Sequence, residues 1–477
     1  MTEGRSQVLK ALSGLLVALF TATLSSTVVS TALPRMIGDL GGSQAQYTWV
    51  VTATLLTATA TTPIWGKLAD LFSKKTLVQV AIGVFVAGSL ASGFSQDAGQ
   101  LIAARALQGA GVGGLQTLVQ IAIAAMIPPR ERGRYSGYLS SVTAVSTIGG
   151  PLLGGLVVDT SWLGWRWCFF IGVPVAIAAL VLLQVTLNLP VVRRERVRID
   201  YAGAALITAG VCLLLVWVSF VGDAFPWSSW PSLSMAGGAV LLLGAAVWVE
   251  SRVSEPVVPL GIVRQRPTAL AILGSLAAGT AMYGAAVFLS QYFQVSRGHT
   301  PTEAGLLTIP MMAGILVAST VVGRLVTRTG KLKPYLVAGS LSLTAGFAVL
   351  GFLDRETPLV VLSVAMALVG AGVGMTMQNF VLVVQNAVPL KDIGAASSTV
   401  SFFRSLGGTI GVAVLGAVLA RDVAANQGDV PTAYGEATAQ VFLISAAVAA
   451  VGVLAAVLLK PVVLRTSLDV VKEPERA

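Results

Sequence analysis

Long apolar runs, separated by short polar or glycine- and proline-rich segments, recur along all 477 residues. A hydrocarbon core about 30 Å thick takes about 20 apolar residues in a helix. Read on that scale, the runs predict fourteen spans. The first six cover 11–33, 47–66, 76–94, 101–126, 135–158 and 168–188. Two more follow at 201–221 and 232–249, and the last six cover 267–293, 303–326, 334–353, 358–386, 394–420 and 440–459. The runs are continuous rather than alternating in short strands, which points to helices and away from a β-barrel. The run from Ala11 to Leu33 follows Arg5 and Lys10 and is too long for a signal-peptide core, so it is expected to be a retained first span.

Composition agrees with the pattern. Apolar residues make up 55% of the chain and charged residues 11%, with a mean hydropathy of +0.82. A soluble chain of this size needs far more charge to cover its surface, so an all-α integral membrane protein is expected. The net charge of +10 does not signal nucleic acid, because the basic residues lie in short clusters between apolar runs with no aromatic platform. With the N-terminus inside, roughly 24 of the 31 Lys and Arg fall in cytoplasmic segments, about 5 outside and about 2 within spans. The inside clusters include Lys74 and Lys75, then Arg130, Arg132 and Arg134. Arg193, Arg194, Arg196 and Arg198 form the densest, and Arg324, Arg328, Lys331 and Lys333 another. Both termini are therefore expected in the cytoplasm. Cys168 and Cys212 fall in different spans without metal-ligand spacing, and His299 is the single histidine, so no metal and no cofactor are expected.

An internal repeat predicts the architecture. Gly109, Gly111, Gly113 and Pro128 fall on Gly370, Gly372, Gly374 and Pro389 at one constant offset, and Gly133 falls on Gly394 at the same offset. A second echo pairs Gly66, Leu68 and Lys74 with Gly323, Leu325 and Lys331. The pattern fits two six-helix bundles related by a pseudo-two-fold axis, residues 1–190 and 267–477, with a two-helix insert at 191–266. Duplicated bundles are a transporter signature, with substrate held near the midplane where the halves meet.

Three motifs carry the functional reading. After span two comes Gly66-Lys67-Leu68-Ala69-Asp70-Leu71-Phe72-Ser73-Lys74-Lys75. Gly66 lets the helix end pack closely, Asp70 can dock on a neighbouring helix N-terminus, and Lys74 and Lys75 hold the loop inside. Span four carries Arg105-Ala106-Leu107-Gln108-Gly109. An arginine in a span is costly and is a functional candidate, although Arg105 lies near enough to the helix end to snorkel. Span five carries Gly150-Pro151-Leu152-Leu153-Gly154-Gly155, where small residues allow close contact and proline supplies a bend. The first stretch resembles the cytoplasmic loop signature of the major facilitator superfamily, with Ser73 in place of its second glycine. The second resembles that superfamily's embedded-arginine motif, and the third is similar to its antiporter motif, which implies export. Trp165-Arg166-Trp167-Cys168-Phe169-Phe170-Ile171-Gly172-Val173-Pro174, Asp200-Tyr201-Ala202-Gly203 and Phe403-Arg404-Ser405-Leu406-Gly407-Gly408 narrow the resemblance to the fourteen-span drug/proton antiporters.

One departure matters. Span one of that family usually reads L-D-x-T-I-V-x-x-A-L-P, with the aspartate as candidate proton carrier. Here Ser25 stands in its place, in Leu24-Ser25-Ser26-Thr27-Val28-Val29-Ser30-Thr31-Ala32-Leu33-Pro34. A hydroxyl does not titrate in the physiological range. Every Asp and Glu falls in a loop or near a span end, and Glu303 is explained by a capping box, Thr300-Pro301-Thr302-Glu303. Arg404 lies near the midplane with no embedded acid to pair with it, and carbonyls or Gln and Asn side chains are its expected partners. The absence of embedded carboxylates favours neutral or anionic compounds over lipophilic cations. By the resemblance, the cavity is lined by spans one, four, nine and twelve, which carry Ser25, Gln116, Gln120, Tyr283, Gln291, Tyr292, Gln378 and Asn379.

The expectation is a monomeric exporter of lipophilic small molecules or antibiotics in the bacterial cytoplasmic membrane, driven by protons. A lipid exporter and an uncoupled facilitator are the alternatives. An embedded enzyme lacks the paired acids, His cluster or metal site it would need, and a receptor would carry a soluble domain.

Overall fold

Helix boundaries follow the capping chemistry of the chain. The computed structural model describes residues 2–42, 44–160, 163–187, 200–222, 225–253, 255–425, 429–461 and 464–465. The arginine cluster at 193–198 lies outside the described residues. The helices are α1 Thr2–Asp39, α2 Gln44–Leu71, α3 Lys74–Phe94, α4 Ala98–Met126, α5 Pro129–Asp159, α6 Trp167–Phe170 and α7 Gly172–Thr186. Then come α8 Tyr201–Phe220, α9 Trp230–Glu250 and α10 Leu260–Val263. The remainder are α11 Arg266–Gln291, α12 Pro301–Leu307, α13 Ile309–Thr329, α14 Lys333–Leu350, α15 Leu359–Ala387, α16 Ile393–Ala425 and α17 Val430–Leu458. Ser73, Asp97 and Asp200 cap α3, α4 and α8 by accepting the N–H three residues on. Thr300 and Glu303 form the expected capping box on α12. Gly330 closes α13 in the left-handed conformation, φ +68°, where a side chain would be strained.

Twelve of the described helical segments are long and apolar enough to cross a membrane, which makes this a multi-pass membrane protein. The count differs from the fourteen expected. α2, 28 residues, and α5, 31 residues, match the others in length but are richer in threonine, serine and glycine. The outer surface is apolar: Trp230 and Phe352 are each about 80% exposed, as a lipid-facing surface requires.

The repeat governs packing. α4 lies between α2 and α3, and α15 lies between α13 and α14. A methyl group placed on Gly109 or Gly113 would strike α2 at Thr54 or Ala58, and one on Gly111 would strike α3 at Phe85. The echoed positions behave alike: Gly370 and Gly374 meet α13 at Met311 and Ile315, and Gly372 meets α14 at Leu343. Small residues at one spacing thus bring two neighbours to backbone contact on opposite faces of one helix. α5 packs on α1 and α13, α16 on α11 and α2, and α8 pairs with α9 and leans on α2.

Candidate functional site

A cavity of about 270 Å³ lies where α1, α2, α4, α5, α11, α13, α15 and α16 converge. Its polar groups are mostly hydroxyls, including Thr23, Ser26 and Thr27 on α1, and Thr54, Thr59 and Thr62 on α2. Thr143, Gln116, Tyr283 and Ser405 add to them, and Met282, Met311 and Met312 supply adaptable apolar surface. Among the described residues no charged side chain lines it. Thr23 and Thr27 also return a hydrogen bond to their own helix, to Leu19 O at 2.8 Å and Leu24 O at 2.9 Å. Such back-bonding keeps the donors satisfied while oxygen lone pairs face the space.

Of the residues expected here, Gln116 and Tyr283 line the cavity. The others are placed elsewhere. Gln120 and Gln378 flank a narrow space of about 30 Å³ beside Arg132 and Gln385. Asn379 is turned onto its own helix, donating to Met375 O at 2.6 Å. Tyr292 is fully buried; its hydroxyl donates to Asp354 O at 2.5 Å and accepts from Arg297 Nε at 2.9 Å, a structural clamp on the loop after α14. Gln291 is exposed at the end of α11. The threonine face of α2 was missed, although residues 54, 58, 59 and 62 share one helical face by spacing alone.

Ser25 sits behind the cavity in a polar network. It is 6% exposed and its Oγ accepts from Gln108 Nε2 at 3.1 Å. The same amide donates to Ser89 Oγ at 2.7 Å, and Gln108 Oε1 accepts from Arg105 Nη1. Arg105 is 3% exposed, which rules out snorkelling. Its guanidinium lies 5.9 Å from the Phe169 ring centroid, and its Nε has no hydrogen-bond partner among the described residues. Serine at position 25 therefore faces a buried cation through one neutral amide. Arg404 is also buried, at 7%, and its Nη1 has no hydrogen-bond partner among the described residues. Its backbone carbonyl packs against Gly279 of α11 so closely that a methyl group there would collide.

The charged motif residues assemble at the end where α2, α4, α13 and α15 finish. Asp70 accepts from Gly394 N at 2.8 Å and Ala395 N at 2.7 Å, so its carboxylate caps the first turn of α16 as a helix dipole favours. Beside it, a methyl group on Gly66 would strike Ser398, and one on Gly394 would strike Gly66 O. Lys74 starts α3 within electrostatic reach of Asp70, and Lys75 donates to Gln184 O at 2.6 Å. At the echoed position Gly133 meets Gly323 backbone to backbone. There Arg130 donates to Thr327 O and Arg328 O, both at 3.2 Å. Arg132 donates to Ile127 O at 2.7 Å, to Ala124 O at 2.5 Å and across to Gln385 Oε1 at 3.0 Å.

The glycine motif on α5 packs on α1. A methyl group on Gly150 would collide with Thr27. Thr27 Oγ1 also lies 2.9 Å from Ser146 O, so its one proton is shared between that carbonyl and Leu24 O, and Thr23 Oγ1 lies 2.8 Å from Ser146 Oγ. Gly154 is buried; the side chains of Pro151 and Gly155 lie outside the described residues.

Known proteins resemble the whole assembly. The family profile described as Major Facilitator Superfamily matches residues 15–412. An uncharacterized MFS-type transporter of Mycobacterium tuberculosis is 35% identical over 94% of this chain and 69% of its own length. The multidrug transporter protein MdtP of Bacillus subtilis is 33% identical over 86% of this chain and 74% of its own. Efflux pump dotC of Dothistroma septosporum is 33% identical over 86% and 70%. Among solved structures, the human organic anion transporter MFSD10 superposes with a TM-score of 0.65 at 14% identity, over 94% of this chain and 99% of its own.

Proposed function

The chain belongs to the major facilitator superfamily, and from that premise we propose that it exports lipophilic small molecules across the bacterial cytoplasmic membrane by alternating access. The observation that carries this reading is the hydroxyl- and methionine-lined cavity, uncharged among the described residues, with a hydrogen-bonded seam at one end. Asp70 on α16 and Arg130 on α13 form that seam. The names of relatives, a multidrug transporter and efflux pumps, support export over import.

In this reading α2 and α5 also cross the membrane, which gives fourteen spans. They pack along α4, α1 and α13 for much of their length, and threonines bonded to their own carbonyls lose little on entering a bilayer. The glycine contacts support two bundles, 1–190 and 267–477, with 191–266 inserted. The pair Gly66–Gly394 becomes Gly323–Gly133 when the halves are exchanged. The seam lies on the cytoplasmic side with both termini, and the protein works as a monomer. Protons are the proposed driving ion. Because position 25 is serine, their carrier is a carboxylate outside the cavity.

Substrates are neutral or anionic, since a cavity with no carboxylate offers a lipophilic cation no counter-charge. Uptake into inverted membrane vesicles, with a panel of cationic, neutral and anionic lipophilic dyes, tests this. Accumulation of neutral or anionic dyes is expected. Cationic dyes as the best substrates, or net movement in the import direction, would overturn it.

A further inference from the structure

Two of the basic clusters meet on the outside of the seam between α5 and α13. Arg134, Tyr138 and Ser141 of α5, with Thr320, Arg324 and Arg328 of α13, line a groove of about 540 Å³. Its floor is the helix contact itself, since a methyl group on Gly137 would strike Thr320. The groove opens outward rather than into the cavity. By spacing, Arg134, Tyr138, Ser141 and Val145 share one face of α5, and Val317, Val321, Arg324 and Arg328 share one face of α13. Val145 and Val317 are 58% and 60% exposed, so both faces meet lipid beyond the arginines. Tyr135 and Leu139, on another face of α5, pack into the core. Arg134, Arg324 and Arg328 are exposed, and their side chains have no hydrogen bond or ion pair among the described residues. Glu131, in the first turn of α5, pairs with none of them. Closing the seam therefore gathers three like charges from two helices without a counter-charge from the described residues.

We propose that this groove binds the phosphate of an anionic phospholipid from the cytoplasmic leaflet, and that the bound lipid holds α5 and α13 together. This rests on the reading above that the seam lies on the cytoplasmic side. Guanidinium groups take phosphate oxygens in pairs of charge-assisted hydrogen bonds. Tyr138, Ser141 and Thr320 supply hydroxyl donors for the remaining oxygens, and tyrosine is a residue of the headgroup level. Basic pockets between membrane helices on the cytoplasmic side are the kind of site that takes an anionic headgroup. A zwitterionic headgroup would set its ammonium against the same three cations, so net negative charge is required. A lipid rather than a soluble anion is the occupant because the groove runs on into the exposed faces of Val145, Val317 and Val321, along which an acyl chain can lie. Arg134 stands on α5, whereas Arg324 and Arg328 stand on α13, so the full set of cations exists only while the seam is closed. The lipid then favours closure by its difference in affinity for the two states, beside the bonds from Arg130 to the carbonyls of Thr327 and Arg328.

The full chain in phosphatidylcholine nanodiscs, with phosphatidylglycerol added in steps, tests both parts. Native mass spectrometry of the lipid retained by the protein reads binding, and spin-label distances between α5 and α13 read the seam. Arg134→Gln, Arg324→Gln and Arg328→Gln are each expected to weaken phosphatidylglycerol retention about fivefold. The closed fraction should rise with phosphatidylglycerol in the wild type and stay flat in the triple variant. Lys333→Gln, at the same end of the molecule but outside the groove, is expected to keep both responses. Equal loss in Lys333→Gln would mean diffuse attraction to an anionic surface and would overturn the site. Equal retention of phosphatidylcholine would overturn the requirement for net charge, and displacement of the lipid by inorganic phosphate would give the groove to a soluble anion instead. The chain beyond Arg465 carries Asp469, Glu473 and Glu475. Lipid binding that appears only after these are changed to Asn and Gln would make that segment the occupant. Retained lipid with a closed fraction that ignores it would overturn the clamp. Labelling of Lys331→Cys by an impermeant reagent from outside intact cells would overturn the sidedness alone. No readout uses a transported substrate, so failure of the export reading would be seen separately.

Discussion

The two seams of this transporter use the same backbone contact and opposite charges. Between α2 and α16, Gly66 faces Gly394 and a carboxylate, Asp70, caps the start of α16. Between α5 and α13, Gly133 faces Gly323 and a guanidinium, Arg130, reaches the last carbonyls of α13. The repeat preserved the glycines because only they allow backbone to meet backbone. Each seam brings the end of one helix to the start of another; the acid on α2 answers the N-terminus of α16, whereas the arginine on α5 answers the C-terminus of α13. What the duplication kept is a distance of approach; the chemistry laid over it followed the local dipole.

The largest effect should come from the shared element. Gly323→Leu or Gly66→Leu puts a side chain where a backbone atom already sits, costing the closed state toward the upper end of about 1–3 kcal/mol, up to about 150-fold in the closed-to-open ratio. Spin-label distances across the seam and efflux in vesicles with normal protein abundance would read it. A variant that closes and transports normally would remove the glycines from the comparison. Next comes the charged cap: Asp70→Asn should weaken closure by about 1.5 kcal/mol, roughly tenfold, and Asp70→Lys by more. Arg130→Gln should cost less, about 0.3–1 kcal/mol, since its carbonyl partners lie near solvent. Equal effects at Asp70 and Arg130 would show that the two charges are interchangeable. Smallest is Lys75→Gln, which sits in the same motif as Asp70 but bonds Gln184 of α7 rather than crossing a seam. It should change closure by less than about 0.5 kcal/mol.

Much of this was legible in the chain. The glycine echo at constant offset encoded which faces of α4 and α15 are approached, because glycine in a lipid-embedded helix marks close packing. Asp70 was legible as a helix-capping acid for the same reason. The cavity was less so. Tyr292 and Asn379 look like cavity residues on the helices assigned to it, yet their polar atoms are consumed by Asp354 and Met375, which only tertiary structure decides. The threonines of α2 read as weak hydrophobicity rather than as a lining. Thr61 and Thr62 donate to Thr57 O and Ala58 O, so their polarity is half hidden from any pattern. That position 25 is serine, where the family it resembles has an aspartate, was plain in the sequence. That this serine faces Arg105 through Gln108 was not, because α1 and α4 meet only in the fold.

The most direct measurement locks the seam. With Cys168 and Cys212 replaced, cysteines at positions 70 and 395 can be joined by a short reducible cross-linker, and dye efflux followed in proteoliposomes before and after reduction. Alternating access predicts that the locked protein carries no dye and that reduction restores transport relative to the same variant left uncrosslinked. Undiminished efflux through a protein shown to be fully cross-linked would contradict it.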